Sequence, residues 1–369
     1  MREEKKINYG INLLKIISMF FIIMVHILAH GGVLGSDLNT TQYIGCWILN
    51  LFCICGVDCF AMISGFVGYR EEPKKIKFSR YIELWCQVVF YTVSITILAL
   101  ILGKFNIQFS YLFKSFFPVT FEFYWYFSAY TGLFFIMPML NSIIRNMEHR
   151  ELKNTLIICM FVFSFYGVIS MRFADPFKIH SGYSMIWLIL LYLVGAYIKK
   201  YNLCEKISIK NALKIMIVSV AFWIIWFFFI GKMLGHGADV LFNSYVSPII
   251  IFISVSLLLI FGKMSLKEKP KQLIKFVTPT VFGIYLLHVN PIIFNNILGK
   301  RFGFISNYNI FIQIIMIIMI ALCIFLIGFI VEKLRDMLFK IFHIRNFSET
   351  IEMKINYLID KIQSTMKEV

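Results

Sequence analysis

The sequence predicts an all-α integral membrane protein that crosses the bilayer about ten times. Hydrophobic residues make up 59% of the 369-residue chain, and charged residues make up only 15%. Soluble domains carry about 25% charged residues. Apolar runs of about 20 residues, the length that spans a bilayer as a helix, recur along the whole sequence. We therefore divide the chain into a polytopic membrane domain, residues 1–340, and a cytoplasmic amphipathic tail, residues 341–369.

The first two apolar segments carry the ionisable residues that are least expected inside a membrane. The first segment, 9–31, contains Lys15 and His26. It is too long for a cleaved signal peptide and no small-residue cleavage site follows it, so we expect it to remain as a helix. The second segment, 43–69, contains Asp58. An ionisable group within the hydrocarbon layer costs several kcal/mol unless it is paired or faces water, which makes each of the three a candidate functional residue.

The other eight segments complete the predicted bundle. In chain order they are 81–103, 123–142, 154–170, 183–199, 212–232, 241–262, 273–298 and 310–332. The ninth segment of the ten is interrupted, because Asn290 and Pro291 follow His288. Breaks of this kind occur where backbone lines a cavity.

Basic residues predict the orientation of the bundle. With the amino terminus inside, 27 Lys and Arg residues fall on the cytoplasmic side and seven on the opposite side. Positive residues near helix ends are retained in the cytoplasm, so both termini are expected there. We therefore interpret the formal net charge of +16 as a sign of membrane orientation and of attraction to anionic lipid headgroups, and not of nucleic-acid binding.

The tail predicts an amphipathic helix on the inner membrane surface, because it has apolar residues at helical spacing: Ile351, Ile355, Leu358 and Ile362.

Lys15 and His26 are placed on one face of the first helix by their spacing of eleven residues, roughly 16 Å apart. For Lys15 the alternatives are snorkelling to the inner headgroups, an ion pair with Asp58, or binding of an anionic ligand. For His26 they are a hydrogen-bonded packing role or a general base toward a hydroxyl group, for which a pKa near neutrality is suited. His26 and His30 have a zinc-binding spacing, but no third ligand follows, so no metal site is expected.

Five short motifs, weak one by one, occur together in this chain. They are the run Asn12–Lys15 followed by His26, the run Gly56–Phe66 with Asp58 and Ser64, Arg80, the run Tyr124–Tyr130 with Pro138 and Asn141, and the run Phe282–His288. In order and helix position they resemble the membrane-bound acyltransferase 3 family. The members of this family move acyl groups, commonly acetyl, onto surface glycans and related acceptors.

The resemblance implies acetyl-CoA as cytoplasmic co-substrate, no bound cofactor, and functional roles for Lys15 and His26. Asn12 and Lys15 stand where many members have Asp and Arg, and Lys lacks the bidentate fork that Arg offers to phosphate. No fused extracytoplasmic domain is recognised. Acceptor recognition is therefore expected from this chain or from a separate extracytoplasmic transferase or polysaccharide-synthesis partner.

These observations give one mechanistic hypothesis, a multi-pass O-acyltransferase in the cell membrane. The nucleotide end of acetyl-CoA is expected on the basic inner surface at Lys74, Lys75, Lys77 and Arg80, with Lys15, Asp58 and Ser64 in the donor site. His26 is the expected base toward a hydroxyl of a surface glycan or lipid-linked sugar, with Glu122 as an orienting carboxylate. Trp125 and Tyr126 are expected to stack on sugar rings, and His288 to line the acceptor cavity.

Two other classes stay open at this point. A transporter or exporter of a glycan or lipid-linked sugar would use Asp58 and His26 as a proton relay. If the chain were a purely structural partner of an export complex, its function would not depend on any single intramembrane charge. The absence of recognisable similarity between the two halves of the chain favours the enzyme. The acceptor and the acyl chain are not specified by the sequence.

Overall fold

A computed structural model describes residues 7–73, 75–103, 105, 107–234 and 240–367. Every regular element in these ranges is a helix, so the all-α prediction is confirmed. We number the main helices as α1 Tyr9–Leu28, α2 Thr40–Gly68, α3 Phe78–Leu102, α4 Trp125–Asn146, α5 His149–Ser170, α6 Met185–Lys200, α7 Ile209–Ile230, α8 Pro248–Lys263, α9 Glu268–His288, α10 Pro291–Asn307, α11 Ile310–Ile341 and α12 Ile344–Lys367.

The ten predicted segments each coincide with a helix or with a bent pair of helices. Within the described ranges, seven helices are long and apolar enough to cross a bilayer, or eight if α9 and α10 form one span bent by 55°. The segments predicted at 183–199 and 241–262 fold as α6 and α8, which have only 16 residues each. That is shorter than the roughly 20 residues that a full span requires. The chain is a multi-pass membrane protein by these criteria.

Polar residues define where several helices begin. Asn39 and Gln42 form a reciprocal capping box at the start of α2, and Asn309 caps α11. Ser247 caps α8 just before Pro248, a residue that has no N–H to satisfy at that position. The side chain of Asn290 likewise accepts the Ile292 N–H and starts α10, directly after the break that ends α9.

Glycines allow the central helices to approach one another closely. A Cβ atom at Gly56 of α2 would lie 2.7 Å from the Ser18 carbonyl oxygen of α1. On the other side of α2, Gly65 meets the Tyr192 carbonyl of α6, and Gly195 of α6 meets the Met62 carbonyl in return. Small residues at helix crossings are typical of membrane bundles, where close van der Waals packing drives association. The helix α2 thus lies at the centre, between α1 and α6.

The tail forms the predicted amphipathic helix, α12. Its first half packs against α3, and Ser348 is fully buried there. Further along, Leu358, Ile362 and Met366 are exposed. Its position on the cytoplasmic membrane surface stays a prediction.

Candidate active site

A basic cavity of about 580 Å³ lies between α1, α2, α3 and α4. Its wall includes six basic side chains and one acidic side chain, Glu72, and the basic ones are Lys15, Arg70, Lys75, Lys77, Arg80 and Arg145. The volume is that of a typical ligand pocket. Because the charge around it is strongly positive, the cavity suits a polyanionic ligand.

Six of the residues that the sequence assigned to donor or acceptor line this cavity together: Lys15 of α1, Ser64 of α2, Lys75 and Lys77 before α3, Arg80 of α3 and Tyr126 of α4. The sequence assigned all of them to the donor except Tyr126, which it assigned to the acceptor. The structure places Tyr126 beside the donor candidates, where its ring is stacked on Tyr130 at 6.5 Å. Lys74 lies outside the described residues.

Asp58 does not line the cavity. The cavity-lining residues of α2, such as Phe60 and Ser64, project from one face of the helix, and Asp58 projects from the face that packs against α6. Its Oδ1 atom accepts a hydrogen bond from the indole N–H of Trp187 at 3.3 Å. The suggested ion pair with Lys15 is not formed, because no cationic nitrogen of the described residues lies within 4.0 Å of the carboxylate. Asp58 is fully buried, and its Oδ2 atom has no hydrogen-bond partner among the described residues.

A pair of histidines lies near the carboxyl end of α1. His26 Nδ1 is 3.2 Å from His288 Nε2, and His288 Nδ1 is 2.7 Å from the carbonyl oxygen of Ile284. A carbonyl oxygen can only accept, so His288 Nδ1 must carry a proton. In the neutral ring its Nε2 atom then accepts the proton of His26 Nδ1. This order of donors leaves the Nε2 atom of His26 with a free lone pair, as a general base requires.

Aromatic contacts connect the cavity to the histidine pair. Tyr126, in the cavity wall, lies 6.1 Å from the ring of Tyr285, which in turn lies 6.3 Å from the ring of His288. Phe282, also in the wall, is stacked on Tyr285 at 6.0 Å. A continuous row of side chains therefore leads from the basic cavity to His26.

The side chain of His30 contacts Phe294 and does not form a metal site with His26. Its ring is stacked on Phe294 at 3.7 Å, and its Nε2 atom donates to the Phe294 carbonyl oxygen at 3.0 Å. Within the described part of the chain, no group of three His, Cys, Asp or Glu side chains is arranged to hold a metal ion.

The remaining acceptor candidates lie in different surroundings. The Glu122 carboxylate is exposed and forms no ion pair with another described residue, so its orienting role stays a prediction. The sequence analysis assigned the position next to His26 to Glu122, but His288 occupies this position. Trp125 joins an aromatic cluster in which its ring lies 4.6 Å from Tyr183 and 6.4 Å from Tyr245.

One buried carboxylate was missed by the sequence interpretation. Glu332 of α11 is only 1% exposed and accepts hydrogen bonds from Gln87 Nε2 at 2.9 Å and Tyr91 Oη at 2.8 Å, both on α3. It also forms an ion pair with Arg335. Gly283 of α9 packs directly against this carboxylate. Through these contacts Glu332 connects α3 to α9. The first of these helices carries Arg80 and the second carries His288. The available signal was a lone Glu at the end of the last apolar segment.

A family model described as an acyltransferase domain, the acyltransferase 3 model, matches residues 8–328, nearly the whole chain. No curated protein and no solved structure matches.

Proposed function

This chain belongs to the acyltransferase 3 family, and from that premise we propose that it transfers acetyl from cytoplasmic acetyl-CoA to a hydroxyl group of a glycan or lipid-linked sugar, with His26 as the general base. The family and the multi-pass helical fold make it a membrane acyltransferase. The donor, the acceptor and the residue roles are our proposal.

The basic cavity supports acetyl-CoA as the donor. The nucleotide end of CoA carries several phosphate charges, and Arg70, Arg80 and Arg145 present guanidinium groups to the same space. Lys15 lies on the α1 side of the cavity and would contact a phosphate deeper in the entry. A neutral pantetheine arm would then follow the Tyr126 and Tyr285 side chains toward His288.

The observation that carries the proposal is the hydrogen bond between His26 and His288. It fixes the imidazole tautomer in which His26 Nε2 is free to accept a proton. A second side chain that orients the catalytic imidazole is the general design of histidine-based acyl transfer, although the orienting group is often a carboxylate. Here a neutral histidine, fixed by a backbone carbonyl, holds that position.

The chemistry then balances without a cofactor. The acceptor oxygen attacks the thioester carbonyl carbon while its proton passes to His26 Nε2. The tetrahedral intermediate collapses, the C–S bond breaks, and the CoA thiolate takes the proton back from the His26 imidazolium. The products are an O-acetyl ester and free CoA, and His26 returns to its starting state.

The experiment compares surface glycans from cells that lack the protein with those from complemented cells, by mass spectrometry. Complementation with wild type should restore species heavier by one acetyl group, and complementation with His26→Ala should not. A matched control is His343→Asn, which changes an exposed histidine between α11 and α12 and should restore the wild-type pattern. Identical glycan spectra with and without the wild-type protein would contradict the proposed function.

A further inference from the structure

An aromatic cluster extends inward from the protein surface on the α6 side of α2. Tyr183 is 47% exposed, and its ring lies 4.6 Å from Trp125 and 5.2 Å from Tyr245. Tyr245 is buried, at 6% exposure. By the charge-based orientation this cluster opens to the extracytoplasmic side, whereas the basic cavity opens to the cytoplasm.

Asp58 lies next to the buried end of this cluster. A Cβ atom at Gly182 would lie 2.7 Å from Tyr245 Cβ and 3.2 Å from Trp187 Cδ1, so Tyr245 and Trp187 are immediate neighbours of the same backbone position. The Trp187 indole then donates to Asp58. The carboxylate is therefore reached from the aromatic cluster, on the face of α2 that points away from the donor cavity.

One oxygen of the Asp58 carboxyl group has no hydrogen-bond partner among the described residues. It is Oδ2, on a side chain that is fully buried. Tyr285 contacts Tyr126, whose ring lies 5.5 Å from Trp125. An unsatisfied buried polar group costs about 1–3 kcal/mol and requires an explanation in a native structure. A ligand that supplies a hydroxyl group would satisfy Asp58 Oδ2.

We propose that Trp125, Tyr183, Tyr245 and Asp58 form the acceptor subsite and that its ligand is an uncharged sugar ring. This inference rests on the proposed acyl transfer and names its acceptor class. Aromatic faces pack against the C–H faces of a pyranose, and a carboxylate oxygen accepts hydrogen bonds from its hydroxyls. No cationic nitrogen of the described residues lies within 4.0 Å of Asp58, so nothing beside this side chain would balance the charge of an anionic ring. Asp58 binds the acceptor and takes no part in the proton transfer.

The position of the subsite is consistent with the reaction. Tyr285 lies one helical turn before His288 and contacts Tyr126, which contacts Trp125, so two side chains connect the aromatic cluster to the histidine pair. The donor arrives from the opposite side, along Tyr126 and Phe282. The assignment moves Asp58 from the donor site, where a carboxylate would repel the CoA phosphates, to the acceptor site.

The test uses purified protein, isotopically labelled acetyl-CoA and an envelope glycan extract, including lipid-linked sugars, from cells that lack the protein. Asp58→Asn keeps the side-chain shape but replaces one carboxyl oxygen by an NH2 group, and it should raise the KM for the glycan about tenfold, because the sugar hydroxyl loses its hydrogen-bond acceptor. The KM for acetyl-CoA should not change. Tyr183→Ala should also raise the glycan KM.

The control is Tyr308→Ala, which removes a tyrosine of similar exposure, 44%, outside the cluster. It should leave the glycan KM at the wild-type value. A wild-type glycan KM in both Asp58→Asn and Tyr183→Ala would overturn the subsite while leaving the proposed function intact, and so would a change confined to the KM for acetyl-CoA. If the wild-type protein labels no sugar in the extract, the proposed function itself fails, and the subsite with it.

Discussion

His26 Nδ1 and His288 Nε2 lie 3.2 Å apart, although 262 positions separate the two residues in the sequence. The contact joins the end of α1 to the end of α9, directly before the break at Asn290 and Pro291. The His288 side chain donates from Nδ1 to the Ile284 carbonyl oxygen of its own last turn, and its Nε2 atom contacts α1. The last turn of α9 therefore orients the side chain that contacts the proposed base.

The first prediction concerns His288. His288→Phe keeps the ring volume but removes the acceptor for His26 Nδ1, so His26 is free to adopt the wrong tautomer. Loss of a buried hydrogen bond of about 1–3 kcal/mol should lower kcat roughly 10- to 100-fold, while the KM for acetyl-CoA stays constant.

His288→Gln is the matched variant, since its amide oxygen can still accept from His26. It should retain more activity than His288→Phe. Equal activity of His288→Phe and wild type, with both proteins folded, would show that His288 does not orient the base.

The second prediction separates donor binding from snorkelling at Lys15. Lys15→Arg keeps the charge in the cavity and should keep much of the affinity for acetyl-CoA, whereas Lys15→Met should weaken it. Isothermal titration with acetyl-CoA measures both. The affinity of the wild type should also fall as ionic strength rises, because the attraction to phosphate is screened.

Thermal stability provides the control for Lys15. No ion pair links Lys15 to Asp58, so Lys15→Met leaves no new unpaired carboxylate and should not lower Tm. Adding Asp58→Asn should give no rescue. Equal affinities of Lys15→Met and wild type would remove Lys15 from the donor site.

The third prediction concerns the contact between α9 and α11. Gly283→Ala places a methyl group onto the Glu332 carboxylate, which is held by Gln87, Tyr91 and Arg335. Forcing extra volume into a packed site costs about 1–3 kcal/mol, so Tm should fall in a detergent melt.

Gly35→Ala is the control for this contact, because the nearest atom to its added carbon would be 3.9 Å away. Its Tm should equal that of the wild type. A Gly283→Ala protein that melts at the wild-type temperature would contradict the tight packing of α9 on α11.

The fourth prediction is topological and rests on the distribution of basic residues, 27 against seven. Single cysteines placed at the exposed positions Asp37 and Ala174 should react with an impermeant thiol reagent in whole cells. Cysteines at Lys75 and Glu205 should react only after the cells are permeabilised. Labelling at position 75 or 205 from outside would reverse the orientation and contradict the proposed donor side.

Much of the fold was predictable because hydrophobicity and segment length identify membrane helices, although the helix ends differ from the predicted bounds by several residues. The sequence also assigned Lys15 and Ser64 to one site, because each is one of the few polar residues on an apolar helix. The length of α8 was overestimated, because its predicted segment starts at residue 241 and the helix begins only at Pro248.

The parts that could not be predicted depend on which helix faces meet. The partner of Asp58 is Trp187 because α2 and α6 cross through Gly65 and Gly195, and no local pattern specifies that crossing. The pairing of His26 with His288 likewise depends on how α9 packs against α1. Glu332 was overlooked because a carboxylate at the end of an apolar segment usually faces water.

The most direct test of the central claim is the rate of acetyl transfer by His26→Ala in purified form, with acetyl-CoA affinity and Tm measured on the same preparation. If His26 is the general base, transfer should fall by about 100-fold or more, while acetyl-CoA affinity and Tm stay close to those of the wild type. A folded, donor-binding His26→Ala protein that transfers acetyl at the wild-type rate would contradict the account.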